Sequence, residues 1–153
     1  MPRQVATGRS TASNRLAVQD MKSSLKFDGS TSYASFSGVR HTSGIFSLGF
    51  WVKPYKPMFY QRLVSCRGYT TDGGFEMEYV GVYDSFHSIF TNSSDGSIGI
   101  TGSIYINRGS WNYVSMTVEN STVKTYVNAE LKYTLTLSGT IGSAASQNLT
   151  SRS

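Results

Sequence analysis

Nine residues, Phe46-Ser47-Leu48-Gly49-Phe50-Trp51-Val52-Lys53-Pro54, alternate without a break. Phe46, Leu48, Phe50 and Val52 share one face, and Ser47, Gly49, Trp51 and Lys53 share the other. A period of two over this length, closed by a proline, predicts a β-strand with one face in a core. Trp51 is the bulkiest group of the run and falls on the face away from the other large apolar side chains. A loop, a second layer or a ligand must cover that face.

The same signature recurs along the chain. Short alternating runs predict strands at 24–28, 32–37, 62–66, 74–80, 85–92, 111–118, 122–127 and 130–137. In the fourth, Phe75, Met77 and Tyr79 oppose Glu76 and Glu78. In the sixth, Val114, Met116 and Val118 point inward, whereas Trp111 and Tyr113 lie on the opposite face, as Trp51 does. Turn chemistry separates the runs at Gly29-Ser30-Thr31, Asp72-Gly73-Gly74, Glu119-Asn120-Ser121 and Asn128-Ala129, and Asn92 to Gly102 reads as a glycine-rich loop. No window holds a 3.6-residue apolar period. With 13% aromatic and 15% charged residues and only 3 prolines, the 153-residue chain reads as one all-β domain, a sandwich or barrel.

Residues 1–22 form a polar, basic N-terminal arm in which Arg3, Arg9, Arg15 and Lys22 face only Asp20. The arm has too few apolar residues to fold alone, and reads either as a disordered tail or as an arm that docks on a neighbouring subunit. The net charge is +5, but the remaining basic residues are scattered, so nucleic acid is not an expected partner. Residues 1–19 lack the apolar segment of a signal peptide, and no 18-residue apolar span predicts a membrane crossing. Cys66 is the single cysteine, which excludes an intrachain disulfide and reads as a small buried side chain. The sequons at Asn92, Asn120 and Asn148 carry no weight without a signal peptide.

Five motifs in order point further. They are Leu25-Lys26-Phe27-Asp28-Gly29-Ser30-Thr31-Ser32-Tyr33, Phe46 to Pro54, Gly74-Phe75-Glu76-Met77-Glu78, Gly109-Ser110-Trp111-Asn112-Tyr113-Val114 and Lys124-Thr125-Tyr126-Val127-Asn128. In order and spacing, residues 24–142 resemble the laminin-G-like group of concanavalin A-like jelly-roll domains. The resemblance implies a two-sheet antiparallel β-sandwich spanning residues 23–142, followed by a polar C-terminal tail, 143–153. It also implies a binding role, since such domains commonly take glycans or proteins, some on extracellular or virion surfaces. Two departures stand out. The family carries Gly after the hairpin Asn, where this chain has Ala129, so the turn is expected to be of a different type from one with positive φ at both central residues. The family also continues into a closing strand of Gly-x-Ile-Asp-x-Val type. None is recognisable in the tail, so either an open sheet edge is expected, filled by the arm or by another subunit, or the sequence is a fragment of a longer protein.

Candidate chemistry is sparse. Glu76 and Glu78 share a strand face about 7 Å apart, a spacing that suits a glycosidase pair. Endoglucanases of this general fold resemble a Glu-x-Asp-x-x-Glu pattern, and here the third carboxylate is missing. Solvated surface glutamates are the simpler reading. Asn92 and Asp95, with Asp72, are weak candidates for a loop calcium site, and an Asx turn explains them as well. The strongest candidate site is aromatic: Trp51, Trp111 and Tyr113, with Tyr79 or Tyr126, flanked by Glu76 and Glu78. Aromatic faces stack on the C–H faces of sugar rings. The same residues also suit packing under a loop or against a second subunit. The leading expectation is a non-catalytic binding or adhesion module, glycan-binding, acting as a subunit of a larger virion or cell-surface assembly and needing no cofactor. The alternatives are a purely structural capsid or decoration protein and a glycoside hydrolase.

Overall fold

The computed structural model describes residues 24–27, 33–36, 45–55, 57, 59–67, 73–94, 96–142 and 149–152. It contains eleven strands: β1 (Tyr33–Phe36), β2 (Ile45–Val52), β3 (Gln61–Arg67), β4 (Gly74–Val80), β5 (Ser85–Thr91), β6 (Ser97–Ile100), β7 (Ile104–Tyr105), β8 (Asn112–Glu119), β9 (Thr122–Val127), β10 (Glu130–Thr136) and β11 (Leu149–Arg152). There is no helix among the described residues, and so none long and apolar enough to cross a membrane. Every pairing is antiparallel. One sheet runs β1-β11-β3-β4-β5-β6, with β7 beside β5. The other runs β10-β9-β8-β2. The chain is an all-β sandwich.

The alternation seen in the sequence becomes the division between core and surface. Along β2 burial alternates from end to end, with Phe46, Leu48, Phe50 and Val52 turned inward. Val114, Met116 and Val118 of β8 are buried opposite them. Two buried clusters fill the space between the sheets. One is built around Phe75, Phe90 and Met116, the other around Met77, Tyr79 and Phe86, and Leu48, Phe50 and Leu63 pack against both. Each such large side chain, removed from water, stabilises the fold by about 1.5–3 kcal/mol.

The structure corrects several expectations. Residues 24–27 form no strand and Leu25 is exposed. The partner of β1 is instead β11, in the register Tyr33↔Arg152 to Phe36↔Leu149. The closing strand is therefore present, inside the segment that reads as a polar tail. It lies between β1 and β3, and the open edge expected there is occupied. Leu149-Thr150-Ser151-Arg152 has little apolar character because backbone hydrogen bonds alone can hold a strand inserted between two neighbours. The glycine-rich loop contains β6. Gly99 belongs to its packing, since a Cβ there would strike Leu137 and Leu135. The basic arm, with Arg3, Arg9 and Arg15, lies outside the described residues.

The β9–β10 turn is a further correction. Asn128 (φ 51°) and Ala129 (φ 68°) are both left-handed, the turn that Ala129 argued against. A non-glycine residue in that region costs about 1–2 kcal/mol. Ala129→Gly relieves it but loosens the unfolded chain, an opposing effect of about 0.4–1 kcal/mol. The expected net gain, about 0.5–1 kcal/mol, is to be read from the urea unfolding midpoint.

Candidate functional site

The outer face of the four-stranded sheet is set by register. Trp51 lies opposite Tyr113, Gly49 opposite Ser115 and Ser47 opposite Thr117. Across β8, Ser115 meets Tyr126 and Thr117 meets Lys124. The rings of Trp51 and Tyr113 sit 5.3 Å apart, tilted by 51°. Tyr113 leans over Gly49, where a Cβ would overlap its hydroxyl. Glycine on a strand is here the floor for an aromatic ring.

Two asparagines position the aromatics; the sequence marked Asn128 only as a turn residue and gave Asn112 no role of its own. Asn128 brackets the backbone of Tyr113: its N–H donates to the Tyr113 carbonyl (2.8 Å), and its Oδ1 accepts from the Tyr113 N–H (2.9 Å). The left-handed turn described above is what brings Asn128 to this place. Asn112, fully buried, organises the loop before β8. Its Oδ1 accepts from the Asn107 N–H (3.1 Å), and its Nδ2 donates to the carbonyls of Asn107 and Ser110 (both 2.9 Å). Gly109 N–H donates to the Pro54 carbonyl (2.8 Å), which ties the loop before β8 to the segment that follows β2. Trp51 and Trp111 remain 49% and 47% exposed. Only an Asn two residues after the turn-prone Asn107-Arg108-Gly109-Ser110 run could have signalled this arrangement.

Tyr79 does not join this face. It is fully buried between the sheets, with its hydroxyl donating to Asp84 Oδ1 (2.7 Å). Asp84 sits at φ 49° in the β4–β5 turn and accepts from Arg108 Nε (2.6 Å), while Arg108 Nη2 donates to the Gly81 carbonyl (2.7 Å). This latch ties the β4–β5 turn to the loop that presents Trp111. The Tyr79 hydrogen bond, and then that of Arg108, hold the Asp84 carboxyl below its ordinary range. Burial, and then the bond to Asp84, push the Tyr79 hydroxyl up. A carboxyl with a lowered folded value adds stability above its unfolded pKa of about 3.9, lost as pH falls through the folded value. A phenol with a raised value adds stability below about pH 10, lost as pH rises through its folded value. Asp84→Asn is therefore expected to flatten the fall in melting temperature below about pH 4. Tyr79→Phe is expected to flatten the alkaline fall. Thermal unfolding across pH checks both.

Glu76 and Glu78 lie on the outer face of the other sheet, away from the aromatics. Arg62 Nη2 reaches Glu76 Oε2 at 2.9 Å and Glu78 Oε1 at 3.6 Å, and His87 Nε2 lies 3.4 Å from Glu78 Oε2. Glu76 is buried, not solvated as expected, because its charge is paired. Strict alternation would put Arg62 on the core side with Val64 and Cys66. A register shift between Arg62 and Val64 sends Val64 inward against Met77 and Arg62 outward against Glu78.

Asn92 caps its own turn, its Oδ1 accepting from the N–H groups of Ser94 (3.0 Å) and Gly96 (2.9 Å). Asp95 and Asp72 lie outside the described residues. No group of three or more His, Cys, Asp or Glu side chains suited to a metal ion occurs among the described residues. Cys66 is buried, and burial raises its thiol.

A family profile, Laminin_G_3 of the concanavalin A-like lectin/glucanases superfamily, matches residues 28–152. The chain belongs to that superfamily. No curated protein matches it in sequence. Among solved structures of the same fold is botulinum neurotoxin type C, whose way into the cell depends on interaction with two ganglioside molecules. It is 15% identical, with a TM-score of 0.55, over 71% of this chain and 27% of the toxin chain. The botulinum neurotoxin serotype D binding domain is 14% identical, with a TM-score of 0.53, over 69% and 27%. The superfamily member described here thus spans about a quarter of each of these chains. The likeness is one of fold.

Proposed function

We propose that this protein is a non-catalytic carbohydrate-binding module that stacks a sugar ring on Trp51 and Tyr113, with Trp111 at the margin. One observation carries the reading: both tryptophans of the chain stand half exposed beside one outer sheet face, neither of them in the core. Single exposed apolar side chains are ordinary, but a contiguous exposed patch marks an interaction site, and Trp51 and Tyr113 form such a pair. Membership of a lectin-containing superfamily supports the same reading. The carboxylate pair does not favour hydrolysis, because Arg62 bridges Glu76 and Glu78 and the aromatics lie on the other sheet. We place the module as a subunit of a larger assembly at a virion or cell surface. In the toxin chains that share this fold the fold is one part of a longer protein, which is compatible with a module at work inside a larger structure.

A glycan array tests the binding role, followed by tryptophan fluorescence titration with each hit. Both emitters report on this face, so binding is expected to shift the emission to the blue. Absence of hits, with Trp51 and Trp111 protected in a self-associated species by sedimentation, would instead give the face to a second subunit.

A further inference from the structure

The aromatic pair stands at one end of a longer feature. Beyond Ser115 the outer face drops into an open groove of about 420 Å³ along the β8–β9 hairpin, lined by Thr117, Glu119, Asn120, Thr122, Lys124 and Tyr126. Every one of these side chains carries a hydrogen-bonding group. Lys124 and Glu119 are exposed, have no ion-pair partner among the described residues and cancel in charge. Small residues, Ser47, Gly49, Ser115 and Thr117, keep the floor low between Trp51 and the groove. From Tyr113 to Glu119 the strand rises by about 20 Å.

From this arrangement we infer that the site takes the internal stretch of a neutral, extended oligosaccharide. One ring stacks on Trp51 and Tyr113. The following rings lie along β8, exchanging hydroxyl hydrogen bonds with Thr117, Lys124, Glu119 and Asn120. An open groove has no end wall to select a chain terminus, and its balanced charge does not favour sialylated or sulfated glycans. This inference rests on the carbohydrate-binding reading and deepens it.

Calorimetric titration with cello-, xylo-, manno- and arabino-oligosaccharides of one to six rings tests it. The expected result is affinity rising about tenfold or more from the shortest to the longest member of one series, as hydrogen bonds worth about 1 kcal/mol each accumulate. Lys124→Ala, an exposed change that leaves the fold intact by its unfolding midpoint, is expected to weaken the long chains about fivefold and leave the shortest unchanged. Trp51→Ala weakens every length. Affinity independent of length, or long-chain binding indifferent to Lys124→Ala while Trp51→Ala still acts, overturns the groove and keeps the aromatic site. Preference for a sialylated or sulfated glycan on an array overturns the neutral ligand. No binding of any glycan by the wild-type protein removes both readings.

Discussion

Trp51→Ala is expected to cost at least tenfold in carbohydrate affinity, about 1.4 kcal/mol, with little loss of stability. The separation follows from the site's construction. Trp51 is half exposed at the end of β2, and its removal opens no interior cavity. Surface changes of this kind usually stay within about 0.5 kcal/mol. Tyr113 does not collapse into the space, because Asn128 holds its backbone and Gly49 seats its ring. Half of the stacking platform is thus removed while the other half stays in place. Titration of the variant with the strongest array hit, beside urea unfolding, checks both halves of the expectation. Unchanged affinity would take Trp51 out of the site.

Phe90→Ala has the opposite profile. An unfolding penalty of about 3–5 kcal/mol is expected, a large share of the 5–15 kcal/mol typical of a whole domain. Phe90 is fully buried and stacks on Phe75, with ring centroids 6.4 Å apart. Phe75 in turn stacks on Phe46 at 5.1 Å. This column crosses the sandwich from β5 through β4 to β2, so the cavity opens in the contact that holds the two sheets together. Because Phe46 and Trp51 share β2, glycan binding is expected to fall near the unfolding transition and to recover on cooling. Denaturant unfolding gives the penalty. A loss below about 1 kcal/mol would mean that neighbouring side chains refill the space.

What could be read from the chain depended on whether its physics was local. The inward faces of β2 and β8 were legible because alternation records burial residue by residue, and the outward placement of Trp51, Trp111 and Tyr113 came with them. Tyr79 was misplaced among those aromatics although its own alternation with Glu76 and Glu78 put it beside Met77. Assigning the carboxylates to the outer face of a particular sheet needed the strand order, which no local pattern contains. Arg62 was hidden by a register shift, and β11 by its polarity. The left-handed Ala129 was argued away on intrinsic cost, whereas the two hydrogen bonds between Asn128 and Tyr113 offset that cost in the folded chain. The groove has no sequence signature, since threonine, lysine and glutamate on a strand's outer face look the same whether or not a hollow lies between them.

The insertion of β11 between β1 and β3 bears on how the chain reaches its native state. Thr150 pairs with Ser65, and Arg152 with Tyr33, across most of the length of the sequence. Such distant partners raise the contact order and slow folding towards the millisecond-to-second range of β-sandwiches. Until residues 149–152 arrive, β1 and β3 are separated by a gap one strand wide, and a nascent chain exposes both edges to any neighbouring chain. In the other sheet β8, β9 and β10 follow one another through short turns, whereas β2 joins β8 from far along the chain, Ile45 against Glu119 and Val52 against Asn112. The β8–β9–β10 meander can thus order first, with β2, which brings Trp51 to Tyr113, and the β11 insertion following as long-range steps.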